Sequence, residues 1–238
     1  MNKTLIVGCS FVHDLTHQSD GIINRDHYHI KGSSGAGNQS IAARVVHECS
    51  LQPFEEVVVL WSGVNRLDFP IGFDLHDALP KDRDGYPVYP YWLRNDQAVW
   101  YHSGGYRLSG TSDPCPKFFK EFFENQYRSA NPRYLSEMTL LSIVQTQSFL
   151  TAKNIPYKMS FIYDVDHGYT ETHIEPGCGK LDRQSSLNSM VDWSKFTAQT
   201  PPFEYARNRQ GLEPDNFHPR LDAMLDWFKT QLAIDLTS

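Results

Sequence analysis

The chain has 238 residues, of which 40% are hydrophobic and 21% charged, a composition that suits one globular domain with a sizeable core. Its formal net charge is -6 and its positive residues are scattered, so we expect no nucleic-acid partner. No run approaches the roughly 20 apolar residues of a membrane span, and the N-terminus lacks a secretory pattern. We therefore expect a soluble protein without a membrane partner, whose four cysteines are reduced thiols.

Short apolar runs predict four strands, and amphipathic or capped stretches predict three helices. The predicted strands are residues 4–7, 28–30, 56–61 and 157–163. The predicted helices are residues 38–49, residues 132–153 and a C-terminal helix that begins at about Pro219. The run at 56–61 is rich in β-branched residues, which is typical of a parallel strand covered on both faces. Asn38 has a side chain suited to cap the helix that it begins.

The alternation of strands and helices predicts an α/β fold, a three-layer α/β/α sandwich around a central parallel sheet. Right-handed crossovers place the carboxyl ends of the strands at one edge of the sheet, where ligands bind in this class of fold. Ser10 and Asn65 each follow a predicted strand, so we expect both at that edge, with Ser10 presented by a tight strand-to-helix turn. Residues 1–238 are predicted to form a single domain.

Residues 66–116 depart from this pattern, because they are rich in aromatic residues, prolines and glycines and poor in aliphatic residues. A loop of this length in a compact domain is usually functional or disordered, and its aromatic content argues against disorder. The insertion begins directly after Asn65, so we expect it to cover the site. Trp92 and Trp100 could form a substrate-binding wall that stacks on sugar rings. The alternative is a separate small core made by the same rings.

Four short blocks carry the residue types needed for acyl transfer through a serine. They are Gly8-Cys9-Ser10, Gly35-Ala36-Gly37-Asn38, Ser62-Gly63-Val64-Asn65 and Asp215-Asn216-Phe217-His218. A serine hydroxyl activated by a histidine can attack an ester carbonyl, and N–H donors can stabilise the oxyanion that forms. In type and order the blocks resemble those of the SGNH (GDSL-type) hydrolase superfamily, from Ser10 to His218. The resemblance also implies a flavodoxin-like sandwich.

For the catalytic triad, the resemblance implies that Ser10 is the nucleophile, His218 the general base and Asp215 the carboxylate that orients the imidazole. The Asp-x-x-His spacing occurs four times in the chain, so spacing alone is weak support. The Asp215 pair is favoured because, as in the family, it lies in a late loop just before a C-terminal amphipathic helix. Asp164 and His167, which follow a predicted strand, form the alternative pair.

For the oxyanion hole, the resemblance implies three donors: the Ser10 backbone N–H, the Gly37 N–H and the Asn65 side-chain amide. Gly35 is the alternative glycine, one step upstream in the same turn. Arg66 stands where the family usually has an aspartate after the asparagine, and this change could alter the substrate charge that the site accepts.

We therefore expect a serine ester hydrolase that works through an acyl-enzyme, without a metal or cofactor, and removes O-acetyl or other short acyl groups. The insertion favours a carbohydrate ester as substrate, ahead of a simple acyl ester or thioester. The layout also resembles hydrolase-like proteins often encoded by bacteriophages, which implies a virion-associated protein as the alternative to a cytoplasmic one. Two rivals stay open: Cys9 as a thiol nucleophile, and a glycan-binding or structural module without catalysis. A Rossmann-type enzyme is disfavoured, because no G-x-G-x-x-G follows the first strand.

Overall fold

A computed structural model of the chain describes residues 3–18, 21–33, 36–64, 66, 68–71, 93–94, 99–102, 132–166, 180–210 and 218–238. The strands are β1 (Lys3–Gly8), β2 (Tyr28–Gly32), β3 (Phe54–Trp61), β4 (Asp68–Ile71), β5 (Leu93–Arg94), β6 (Val99–His102) and β7 (Tyr157–Phe161). The α-helices are α1 (Ser10–Gln18), α2 (Asn38–Leu51), α3 (Pro132–Ala152), α4 (Pro202–Gln210) and α5 (Leu221–Gln231). Two short 3-10 turns span Ser186–Met190 and Trp193–Lys195. All the predicted strands and helices are present, with their ends shifted by a few residues.

Four parallel strands form the central sheet, in the order β2-β1-β3-β7. In the middle of the sheet, Ile6 of β1 lies between Ile30 of β2 and Val58 of β3. Residues 57–61 of β3 are completely buried. An unbroken apolar run is what a strand needs when helices cover both of its faces, because no position then faces water.

Helices cover the sheet on both sides. The crossover through α1 runs from β1 outward to β2, and the crossover through α2 runs back past β1 to β3. With right-handed connections, these opposite directions place α1 and α2 on opposite faces. Helix α3 packs beside α2, whereas α5 packs against α1 and α4. The predicted three-layer α/β/α architecture is therefore confirmed.

Helix α1 lies unusually close to the sheet, and two glycines permit this approach. A Cβ atom added at Gly32, the last residue of β2, would lie 2.1 Å from the backbone nitrogen of His13. One added at Gly8, the last residue of β1, would lie 2.6 Å from a methyl carbon of Val12. A side chain at either position would push α1 outward, so both glycines help to set where the first turn of this helix lies.

The insertion contributes a second, smaller sheet. Strands β4, β5 and β6 pair antiparallel in the order β4-β6-β5. Trp100 belongs to the central strand β6, where it pairs with Pro70 of β4 and Leu93 of β5. Trp92 lies outside the described residues, and the predicted substrate-binding role of both tryptophans stays a prediction. Within the described ranges, every helix is too short or too polar to serve as a membrane span.

The N-terminus of α2 differs from its prediction. Asn38 is the first residue of this helix and Gly37 occupies the cap position, without a capping side chain of its own. The capping acceptor comes instead from Asp68 at the start of β4, whose carboxylate accepts hydrogen bonds from the backbone N–H groups of Gly37 and Ser40 at 2.8 and 2.9 Å. The expectation that Asn38 caps the helix was wrong, because this side chain turns inward to other partners.

Candidate active site

Ser10 lies at the carboxyl edge of the central sheet, in the tight strand-to-helix turn that its position predicts. Strand β1 ends at Gly8, and the Cys9 carbonyl accepts the first helical hydrogen bonds of α1, from the N–H groups of Val12 and His13 at 3.1 and 3.0 Å. Ser10 is therefore the first residue of α1. Amide groups in the first turn of a helix have no intrahelical acceptor, and the dipole makes this end partly positive. The position suits a group that gains negative charge.

Cys9, the rival nucleophile, is directed into the protein. Its side chain is completely buried. The Ser10 hydroxyl donates a hydrogen bond to the Cys9 sulfur over 3.9 Å. Ser10 is itself only 2% exposed. Both side chains are therefore buried. They differ in position, because Ser10 is the first residue of α1 whereas Cys9 precedes the helix.

His218 lies against the first turn of α1. Its ring meets the ring of Phe11, the neighbour of Ser10, in an edge-to-face contact with 5.2 Å between the centroids. Its Nδ1 atom makes a short hydrogen bond to a carboxylate oxygen of Asp14, which lies one helical turn after Ser10. The structure thus places His218, predicted from the opposite end of the chain, in contact with Phe11 and Asp14 of the helix that Ser10 begins.

Asp14 sits between two histidines. One oxygen pairs with His218, and the other lies 3.7 Å from Nδ1 of His13. Burial alone would raise the pKa of the Asp14 carboxyl group, but hydrogen bonds and charge from both histidines outweigh burial and hold this pKa well below its usual range. Asp14 is therefore ionised near neutral pH. Among the described residues, no cluster of three or more His, Cys, Asp or Glu side chains is arranged to hold a metal ion, and this applies to Asp14 and its two histidines as well.

The carboxylate predicted for His218 was Asp215, which lies outside the described residues, as does His167 of the alternative pair. Asp164 is described: one of its oxygens accepts a hydrogen bond from the Asp166 N–H at 2.9 Å, in a turn that follows β7. The sequence interpretation missed Asp14 as a partner of His218. A signal was present, because a residue four positions after Ser10 lies on the same face of a helix.

The predicted oxyanion donor Gly37 has a different partner in the structure. Its N–H donates to the Asp68 carboxylate at 2.8 Å in a buried setting, and a Cβ atom at this position would lie 2.7 Å from that carboxylate. The Gly37 N–H already donates its hydrogen bond to a carboxylate of the chain itself. In this arrangement it cannot also donate to an oxyanion. Gly35, the alternative, lies outside the described residues.

The second and third blocks are joined by Asn38. Its side-chain oxygen accepts a hydrogen bond from the Ser62 N–H at 2.8 Å, and its amide nitrogen donates to the Thr139 hydroxyl at 3.0 Å. The side chain is buried, and it ties the start of α2 to the end of β3 and to α3. Asn65 lies outside the described residues, but the chain that leads to it leaves β3 at this carboxyl edge.

Two further titratable groups lie behind this edge. Burial raises the pKa of the Tyr163 hydroxyl, against an opposing contribution from the charge of Arg66. Burial also raises the pKa of Glu204 at the start of α4, and one of its carboxylate oxygens accepts the Asp164 N–H at 3.1 Å. Sequence reasoning singled out neither residue. Tyr163 follows β7 and Glu204 lies at the start of α4, and no sequence motif marks either position.

Comparison with known proteins does not identify a family. No protein-family model matches the chain, and no curated protein matches its sequence. The likeness to the SGNH superfamily therefore rests on the four blocks of residues and stays a prediction.

Proposed function

We propose that the protein is a serine ester hydrolase in which Ser10 is the nucleophile and His218 the general base. One observation carries the proposal: a histidine bound through Nδ1 to a carboxylate lies beside the helical turn that Ser10 begins. A carboxylate on Nδ1 keeps the proton on that nitrogen and leaves Nε2 as the base. The carboxyl edge of β1 and β3 is also the place where the order of parallel strands favours ligand binding.

The proposed reaction has two steps. The Ser10 hydroxyl attacks the ester carbonyl while His218 takes its proton, and the tetrahedral intermediate expels the alcohol, which receives that proton. The acyl group is then bound to Ser10 through an ester bond. Water, deprotonated by the same histidine, attacks this acyl-enzyme, and the carboxylic acid leaves as Ser10 regains its proton. No step requires a metal or an organic cofactor.

The proposed oxyanion hole uses the start of α1. The Ser10 backbone N–H lies in the first turn, where helical N–H groups lack intrahelical acceptors and the dipole favours negative charge. Because Asp68 holds the Gly37 amide, the proposal assigns the remaining donation to the Asn65 side chain. We propose short acyl groups as substrates, with a carbohydrate ester favoured by the aromatic residues of the insertion.

A second candidate is a glycan-binding or structural module that has the same fold but does not catalyse. Two observations favour it: Ser10 is almost completely buried, and the Gly37 amide is bound to Asp68. A catalytic serine has to be reached by an ester, and a full oxyanion hole needs donors that are not already satisfied. This candidate predicts binding of a glycan without turnover.

A fluorophosphonate probe distinguishes the two candidates, because it reacts only with an activated nucleophile. We expect one adduct on Ser10, located by mass spectrometry, together with hydrolysis of p-nitrophenyl acetate. Ser10→Ala should abolish both signals. Ser142→Ala, which removes another buried serine hydroxyl on α3, should retain both. An unlabelled, inactive wild-type protein that is folded would overturn the esterase and leave the binding module.

A further inference from the structure

We propose that Asp14 is the positioning residue for His218, so that the nucleophile and the carboxylate of the triad come from a single helix. The inference rests on the proposed function. It departs from the sequence-based expectation, in which Asp215 would orient the histidine from three positions before it. The proposed pair joins a carboxylate and a histidine that lie 204 positions apart in the sequence.

The geometry of α1 brings Asp14 and Ser10 together. Residues four apart on a helix lie one above the other, with Cβ atoms about 5–6 Å apart. The Cα–Cβ bonds of a helix tilt toward its N-terminus, so the Asp14 side chain leans over the turn that begins with Ser10. The ring of His218 lies at this turn, held at Nδ1 by Asp14 and packed edge-on against Phe11.

The Asp14 carboxylate can stabilise the positive charge that forms on His218 during the reaction. When His218 takes the Ser10 proton, a positive imidazolium forms next to a helix N-terminus, whose partial positive charge opposes it. The Asp14 carboxylate, directly bound to the ring, offsets this repulsion. Burial alone would raise the pKa of Asp14, but its two histidine neighbours hold this pKa well below its usual range. The carboxylate therefore keeps its negative charge when the imidazolium forms.

His13 completes the support of this carboxylate. It lies on the same helix as Asp14, and its Nδ1 is 3.7 Å from the oxygen that His218 does not use. The two oxygens of Asp14 therefore face different histidines, which limits the rotation of the carboxylate. Asp14 is 25% exposed at its side chain, so it can be replaced without opening the core.

The inference is tested with three aspartate-to-asparagine variants of the full chain. Asp14→Asn removes the proposed positioning charge, Asp215→Asn removes the carboxylate predicted from the sequence, and Asp26→Asn is the matched control. Asp26 also begins an Asp-x-x-His sequence, but its side chain is exposed. Each variant is assayed for hydrolysis of p-nitrophenyl acetate, with kcat and KM determined separately, and for its melting temperature.

We expect Asp14→Asn to lower kcat by about 10⁴-fold, the loss typical of an imidazole held in the wrong tautomer. KM should change little, because the carboxylate acts on charge that develops in the transition state. Asp14→Glu, which keeps the charge, should recover part of the lost activity. A purely structural role would instead lower the melting temperature without this division between kcat and KM.

A second measurement does not depend on activity. With ¹⁵N-labelled histidine, the Nδ1–H of His218 should give a low-field proton resonance, assigned by its loss in His218→Gln. This resonance should persist in Asp26→Asn and Asp215→Asn and disappear in Asp14→Asn. A resonance that survives Asp14→Asn but is lost in Asp215→Asn would overturn the inference, as would a larger loss of kcat in Asp215→Asn than in Asp14→Asn.

The two proposals fail in different ways. If the wild-type protein shows no Ser10-dependent turnover, the proposed function fails and the role of Asp14 fails with it, whatever the resonance shows. If turnover depends on Ser10 and His218 but not on Asp14, the esterase stands and only the assignment of Asp14 is overturned.

Discussion

Replacing Gly32 by alanine should push α1 away from β2 and displace the candidate site, because Ser10 and Asp14 both belong to this helix. The new methyl carbon would lie 2.1 Å from the backbone nitrogen of His13 and 2.5 Å from the carbonyl carbon of Val12. These are backbone atoms, which cannot rotate away as the end of a flexible side chain can. The helix or the strand must therefore move as a unit.

The size of the displacement follows from the distances. Ordinary van der Waals contact at such a carbon begins at 3.4 Å, so the contact of 2.1 Å requires a movement of about 1.3 Å. Overpacking of this kind costs about 1–3 kcal/mol, and the backbone contacts place Gly32→Ala near 3 kcal/mol. For a chain of this size, that corresponds to a melting temperature lower by about 6–12 °C. A misplacement of about 1 Å can also cost about 10²-fold in rate.

Differential scanning calorimetry and the rate of fluorophosphonate labelling test both effects. Gly21→Ala is the control. A Cβ atom at this position has nothing within 4 Å, but the residue has a backbone φ of +74°. The strain should cost about 1 kcal/mol, or about 2–4 °C, and leave the labelling rate unchanged. If Gly32→Ala melts within the range of Gly21→Ala and is labelled at the wild-type rate, the close approach of α1 to β2 is not what holds the site.

The remaining predictions concern single side chains. Asp68→Ala should lower the free energy of unfolding by about 1–3 kcal/mol for each amide it leaves unpaired, the Gly37 N–H among them, as measured by urea denaturation. Because the pKa of Asp14 is lowered in the folded state, its ionised form stabilises the fold above about pH 4, and this stabilisation is lost as the pH falls further. The difference in urea midpoint between wild type and Asp14→Asn should therefore be full near neutral pH and shrink below about pH 4. Burial raises the pKa of Cys49 to about 11, so iodoacetamide should spare it at pH 8 until urea unfolds the protein. Cys9→Ala should retain phosphonate labelling; an adduct located on Cys9 of the wild-type protein would make Cys9 the nucleophile.

Several elements of the fold were predictable from local sequence. The β-branched run before Ser62 identified β3, and the apolar residues of α3 and α5 recur at helical spacing. Such patterns are local because a strand or helix must present its apolar residues to a core whatever the rest of the chain does. The small sheet of β4, β5 and β6 and the helix α4 were not predicted. Their strands are short, and α4 is rich in polar residues.

The candidate site was predictable only in part. The position of Ser10 after a short apolar strand indicated a strand-to-helix turn, and the structure has that turn. His218 was selected from its place before a C-terminal helix, and it does lie next to the turn of Ser10. Both inferences used the order of elements along the chain, which sequence carries directly. The roles of the two residues stay proposals until they are tested.

The chain alone thus determined the four strands of the central sheet, the helices α2, α3 and α5 and the sheet edge at which Ser10 lies, because those follow from periodicity and connection order. Only the tertiary structure decided which groups pair across the site. Four Asp-x-x-His sequences are equivalent by spacing, yet α5 packs against α1, and His218, just before α5, pairs with Asp14 of α1. The same holds for Gly37, whose amide binds Asp68, 31 positions away. Hydrogen bonds between distant residues depend on where whole elements come to rest against each other, and no local pattern encodes that placement.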